Sequence, residues 1–187
     1  MPNRGGLLLA LVLLAACGPE DATVRPSAAN RKPAYFDVKG FLNAQAAQLN
    51  RQQPAVEKRV QLRDGRQETS RVTKTDWAKE LQIFYQADIN KPALRGAYTE
   101  TSAAAGRRYQ RNAGVDAPVA ELVVTGSEST PEAIGATVKQ NNPLFYSEKK
   151  LRLRTRNGVL SEYEVQGVQK LVLFDTVRYS VRVQVVP

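Results

Sequence analysis

Beyond Pro92 the chain adopts a period of two, and that rhythm restricts its fold more than any other feature of the sequence. Alternating apolar and polar side chains stand on opposite faces of an extended strand, whereas a helical face recurs every three or four residues. In Val177–Val186 the residues Val177, Tyr179, Val181, Val183 and Val185 fall on one side, and Arg178, Ser180, Arg182 and Gln184 on the other. One dry face and one wet face is the mark of an antiparallel sheet. The same reading makes strands of Val119–Thr125, Ala133–Lys139, Phe145–Arg156, Val159–Val165 and Val168–Phe174. Residues 95–118 are ambiguous: Ala97–Thr101 reads as a strand, but Ala103-Ala104-Ala105-Gly106 has no period.

Upstream the spacing is helical. Val38, Phe41, Leu42, Ala46 and Leu49 form a stripe between Tyr35 and Asn50, with Asp37 as N-cap and Pro54 as the stop; Gly40 weakens the pattern. Asp64-Gly65 is a hairpin signal between Val56–Arg63 and Arg66–Lys74. A second helix is expected after Thr75 or Asp76, carrying Trp77, Leu81, Phe84 and Asp88 and closing at Asn90 and Pro92. The expected fold is α+β. Two N-terminal helices around a β-hairpin would pack on a C-terminal antiparallel meander of six or seven strands. Aromatics at helical spacing, Trp77 and Phe84 among them, read as core.

Composition removes whole classes of chemistry. The 187 residues are 42% hydrophobic and 24% charged, enough apolar material for one ordinary core. There is no His, so the usual general base and the commonest metal ligand are missing. One Cys excludes an internal disulfide and a thiolate metal cluster. No metal or other cofactor is implied.

That Cys sits at a telling place. Leu7 to Ala16 is an unbroken apolar run behind Arg4, and ten residues span about 15 Å as a helix, half of a bilayer's hydrocarbon core. It therefore reads as a secretory signal and not as a transmembrane helix. Its end, Leu14-Ala15-Ala16-Cys17 followed by Gly18, resembles the lipobox of bacterial lipoproteins. The resemblance implies cleavage before Cys17, a diacylglycerol on its thiol, and further acylation of the new amino group. Residues 1–16 would then be a cleaved signal peptide, 17–33 an acylated Cys and tether, and 34–187 a single α+β domain. Gly18, not Asp, implies the outer membrane of a Gram-negative cell, on its periplasmic or outer face. Glu20-Asp21 resembles the acidic export tag of Bacteroidota surface lipoproteins, although an acidic linker explains it as well. Asp76-Trp77 through Leu81, Phe84 and Ala87-Asp88-Ile89-Asn90-Lys91-Pro92 resembles a segment of uncharacterised Bacteroidota envelope lipoproteins. No activity comes with that likeness.

Lys150, Arg152, Arg154 and Arg156 alternate with Leu151, Leu153 and Thr155, so four cations project from one strand face as candidate contacts for an anionic ligand. A two-residue turn at Asn157-Gly158 would set Leu153 opposite Glu162 and bury a carboxylate. A three-residue turn would instead set Lys150 opposite Glu164 and Arg152 opposite Glu162, and this register sorts the faces. It also neutralises half of the ladder, which favours a structural role. Glu162 and Glu164 facing cations make a poor acid–base pair. Ser147-Glu148-Lys149-Lys150 matches S-x-x-K, but in a strand Ser147 and Lys150 point to opposite faces.

From Cys17 onward the chain holds 26 basic and 18 acidic residues, net +8. Such a domain on acyl chains would sit beside anionic headgroups or acidic glycans. Nucleic acid is not expected as a partner. Three functions are in play: a non-catalytic binding or accessory module for an apolar or anionic envelope ligand, an assembly lipoprotein that binds another envelope protein, and a hydrolase without His. The lack of a nucleophile beside a base puts the hydrolase last. An apolar cavity between sheet and helices would favour ligand carriage. A filled core with an exposed apolar patch would favour a protein partner.

Overall fold

Among the described residues nine antiparallel strands hydrogen-bond side by side in one sheet, in the order β2-β1-β9-β8-β7-β6-β5-β4-β3 with the numbering of the ranges below. The computed structural model describes residues 33–61 and 64–186. The expected signal peptide, Cys17 and the tether up to Lys32 lie outside the described residues. The strands are β1 (Ala55–Gln61), β2 (Gln67–Val72), β3 (Tyr98–Ala103), β4 (Gly106–Arg111), β5 (Val119–Gly126), β6 (Pro131–Asn142), β7 (Phe145–Arg156), β8 (Val159–Leu171) and β9 (Val177–Val186). From β3 to β9 the chain is a plain meander. The β1–β2 hairpin then joins its far side, with Ala55 opposite Val186 and Gln61 opposite Ser180. Both edges are polar: every residue of β2 except Val72, and every residue of β3 except Tyr98, is exposed. Polar edge strands of this kind discourage further strand addition.

The register lines up the dry face. Tyr109, Leu122, Ala136, Leu151, Val165 and Val181 form one row across six strands. Val124, Ile134, Leu153, Tyr163 and Val183 form the next. Helix α1 (Val38–Gln52) contributes Val38, Leu42, Ala46 and Leu49 to the same buried cluster. Its cap is Asp37, whose carboxylate accepts from the Gly40 N–H at 2.9 Å. A Cβ on Gly40 would collide with that carboxylate, so the residue that weakens the helical pattern is what lets the cap close. Gln53 ends the helix in the left-handed region at φ 44°, its N–H returning to the Leu49 carbonyl at 2.8 Å.

The expected α+β architecture with two helices is overturned: the described residues are mainly antiparallel sheet with a single long helix. Asp76 does cap a helix, accepting from the Lys79 N–H at 3.3 Å, but α2 (Trp77–Glu80) is one turn long. A 3-10 helix, Gln82–Ala87, follows it. Leu81, Phe84 and Ala87 are spaced by three, the repeat of a 3-10 helix, and all three are buried. Asn90 is not a helix stop. It ties the entering chain, accepting from the Tyr35 N–H at 3.0 Å and donating to the Phe36 carbonyl at 2.9 Å.

The strand count also changes. The ambiguous stretch contains the hairpin β3–β4, and the early hairpin belongs to the main sheet. Val159–Val165 and Val168–Phe174 are not two strands, because β8 runs unbroken from Val159 to Leu171. Gly167 sits within it, buried beneath the ring of Tyr179 on β9, where a Cβ would strike the aromatic ring.

Candidate functional site

The polar face of the sheet is where the sequence placed its candidates, and the β7–β8 hairpin orders it. Asn157 (φ 54°) and Gly158 (φ 77°) make a two-residue turn, with Arg156 opposite Val159 and Thr155 opposite Leu160. A bulge then intervenes, so that Arg154 faces Glu162, Leu153 faces Tyr163 and Arg152 faces Glu164. Neither expected register occurs. The bulge at Ser161 switches parity after the turn, which buries both Leu160 and Tyr163 and keeps the carboxylates on the wet side. Lys150 consequently faces Gln166, not Glu164.

The turn is clamped from the helix. Gln45, only 6% exposed, donates through Nε2 to the Gly158 carbonyl at 2.9 Å and accepts from the Leu160 N–H at 2.7 Å. Its amide satisfies backbone groups beside the bulge, where strand pairing is interrupted.

Lys150, Arg152, Arg154 and Arg156 share one face of β7, and all four are exposed. Arg152 pairs with Glu164 at 3.4 Å, while Lys150 lies 4.0 Å from Glu148. Glu162, the cross-strand neighbour of Arg154, is taken by Arg182 of β9 at 2.8 Å. Among the described residues Arg154 and Arg156 have no carboxylate within ion-pair distance. Ion pairs at this exposure are worth about 0–1 kcal/mol each, so the face remains open to competing anions.

Lys150 stands between two shallow depressions. One, of about 370 Å³, is lined by Gln61, Glu148, Gln166, Arg178 and Ser180. The other, of about 280 Å³, has Gly135 as its floor, with Glu121, Thr137 and Arg152 around it. At the rim of the first, Glu148 accepts from the Tyr146 hydroxyl at 2.7 Å and has Lys139 at 3.3 Å, both of them outside that depression's lining. The hydrogen bond first, and then the lysine charge, holds the Glu148 carboxyl below its ordinary range. A third, larger depression of about 900 Å³ lies between the loop Gly114–Pro118 and the end of the β6–β7 hairpin.

Other sequence matches dissolve on the fold. Ser147 is buried and Lys150 exposed, so the S-x-x-K match places no Lys beside its Ser. Trp77 is fully buried in the core. On the dry side Tyr163 donates to Glu80, which also accepts from Lys58 at 3.1 Å. Burial, and then that carboxylate, push the Tyr163 hydroxyl far above the usual range for tyrosine. This cluster fastens the short helix α2 to the sheet, and sequence reasoning missed it because its members come from three distant segments. The sequence pattern also gives no sign of the exposed group Leu144, Leu171, Val172, Leu173 and Phe174, because it places four of the five in the expected strand Val168–Phe174.

Compared with protein-family models, with curated proteins and with solved structures, the chain matches none.

Proposed function

We propose that this chain is a non-catalytic accessory module of the bacterial cell envelope, held at the outer membrane by acyl chains on Cys17, that binds an anionic envelope ligand on the polar face of its sheet. The observation that carries the reading is the pair Arg154 and Arg156, exposed beside Lys150 and Arg152 without a carboxylate partner among the described residues. The large side chains Trp77, Phe84, Leu81 and Ile89 fill the dry side, and the depressions described above lie elsewhere. This supports an outer-surface ligand over an enclosed apolar one. The lipobox at Leu14–Cys17 supports the anchor.

Heparin serves as a probe polyanion. Arg154→Glu with Arg156→Glu is expected to weaken its binding by roughly tenfold or more at low salt, and binding by the unaltered chain should fall steeply as salt rises. Equal binding by both proteins would remove the ladder from the site. Cys17→Ser is expected to release the chain from membranes; retention after a high-salt wash would show that acyl chains are not the anchor. A structural or assembly role toward another envelope protein is the second reading, and it draws on the exposed apolar side chains at Leu144 and Leu171–Phe174.

A further inference from the structure

At one end of the sheet two neighbouring hairpin ends turn apolar side chains outward. Leu144 is 72% exposed at the β6–β7 turn, and Leu173 and Phe174 are 88% and 68% exposed after β8, with Leu171 and Val172 beside them. The two ends touch, the Val172 N–H donating to the Leu144 carbonyl at 3.2 Å and Phe145 lying opposite Leu171. Large apolar residues at a turn gain nothing from the core, and five of them in one patch mark a contact surface.

We infer that these hairpin ends dip into the interface of a bilayer bearing anionic headgroups. Two features choose lipid over protein. First, the patch is a projecting pair of turns and not a groove, and the ends of the two hairpins that bear it (residues 139–150 and 168–178) carry Lys139, Lys149, Lys150, Lys170 and Arg178 against only Glu148 and Asp175. An apolar tip within a basic collar is the composition that binds a headgroup–acyl boundary. Second, the chain enters the domain at this same end. The Tyr98 N–H, at the start of β3, donates to the Tyr35 hydroxyl at 3.3 Å, and β3 begins at the end of the sheet where β6 finishes and β7 begins. Fifteen residues separate Cys17 from Pro33, a reach of about 50 Å at most. An anchor at Cys17 would therefore leave this end free to reach the membrane. The second argument rests on the anchor proposed above; the first does not.

The test places an indole at the tip of the full chain. Phe174→Trp is mixed with vesicles of phosphatidylethanolamine and phosphatidylglycerol whose acyl chains carry bromine. The native Trp77 is buried and supplies a constant background, subtracted with the unaltered chain. The introduced indole is expected to shift to the blue and to lose more than about half its emission against unbrominated vesicles. Replacing phosphatidylglycerol by phosphatidylcholine should reduce that quenching severalfold. Ser129→Trp, at the opposite end of the sheet, is expected to stay unquenched. A tip indole that remains solvent-like on vesicles overturns the inference and gives the patch to a protein partner. Equal quenching at both positions overturns it too. Quenching at the tip of a chain whose mass shows no acyl group would sink the anchor and leave this inference standing; an acylated chain with an unquenched tip would do the reverse.

Discussion

The two ends of β8 are built on opposite terms. At its start, Leu160 is buried and its N–H is held by Gln45, a side chain reaching over from the helix. At its finish, Leu171, Val172, Leu173 and Phe174 stand in water, and the polar groups that serve the turn are backbone atoms of the turn itself and of Leu144. Both ends are rich in large apolar residues. The difference teaches that apolar content alone does not decide where a segment goes; what separates the two ends is a helix that covers one turn and supplies it with a side-chain partner. A turn with a side-chain clamp can be drawn into the core, and a turn without one keeps its apolar side chains for another surface.

Substitutions should expose this asymmetry. Leu160→Ala is expected to cost about 3 kcal/mol, read as a lower urea midpoint with an unchanged slope, because it opens a cavity where helix and sheet meet. Gln45→Ala should cost about 2 kcal/mol, since it strands the Leu160 N–H and the Gly158 carbonyl away from water. A loss no larger than that of an exposed helix substitution would mean that the turn does not need the clamp.

At the other end, Tyr146→Phe removes the hydroxyl that holds Glu148 ionised and should lower stability at neutral pH by less than either change above. A carboxyl whose folded pKa lies below its unfolded value adds stability above the unfolded value and loses it as pH falls through the folded one. The deficit of Tyr146→Phe should therefore shrink as the solution is acidified below the ordinary glutamate range. A deficit that is constant with pH would separate the hydroxyl from Glu148. Smallest of all, Leu173→Ser and Phe174→Ser should change stability by no more than about 0.5 kcal/mol while weakening binding to vesicles that contain phosphatidylglycerol.

The parts legible in the sequence were those where one periodicity ran unopposed. β9 and β7 show their two faces because their alternation is unbroken, and Asp37 announces the start of α1. The second helix was misread because Trp77, Leu81 and Phe84 satisfy an α-helix, while the choice was made by Leu81, Phe84 and Ala87 at a spacing of three. The hairpin β3–β4 was hidden because each strand buries one side chain only, Tyr98 and Tyr109, and a single residue sets no period. The shared face of Lys150, Arg152, Arg154 and Arg156 followed from their spacing. Their partners did not, because Arg182 reaches Glu162 from β9 and that register is set across the whole β8–β9 hairpin. Gln45 was overlooked because a polar residue on an apolar stripe looks like an interruption until its distant partners are known.

The pairing of β1 with β9 has a consequence for how the molecule is made. Ala55 cannot find Val186 until all the other strands have been made, so the early hairpin must wait for β9 before it gains its neighbour. Pairings of such separation slow acquisition of the finished state. During that delay the side of β1 that β9 covers stays unpaired, an open edge in the nascent chain.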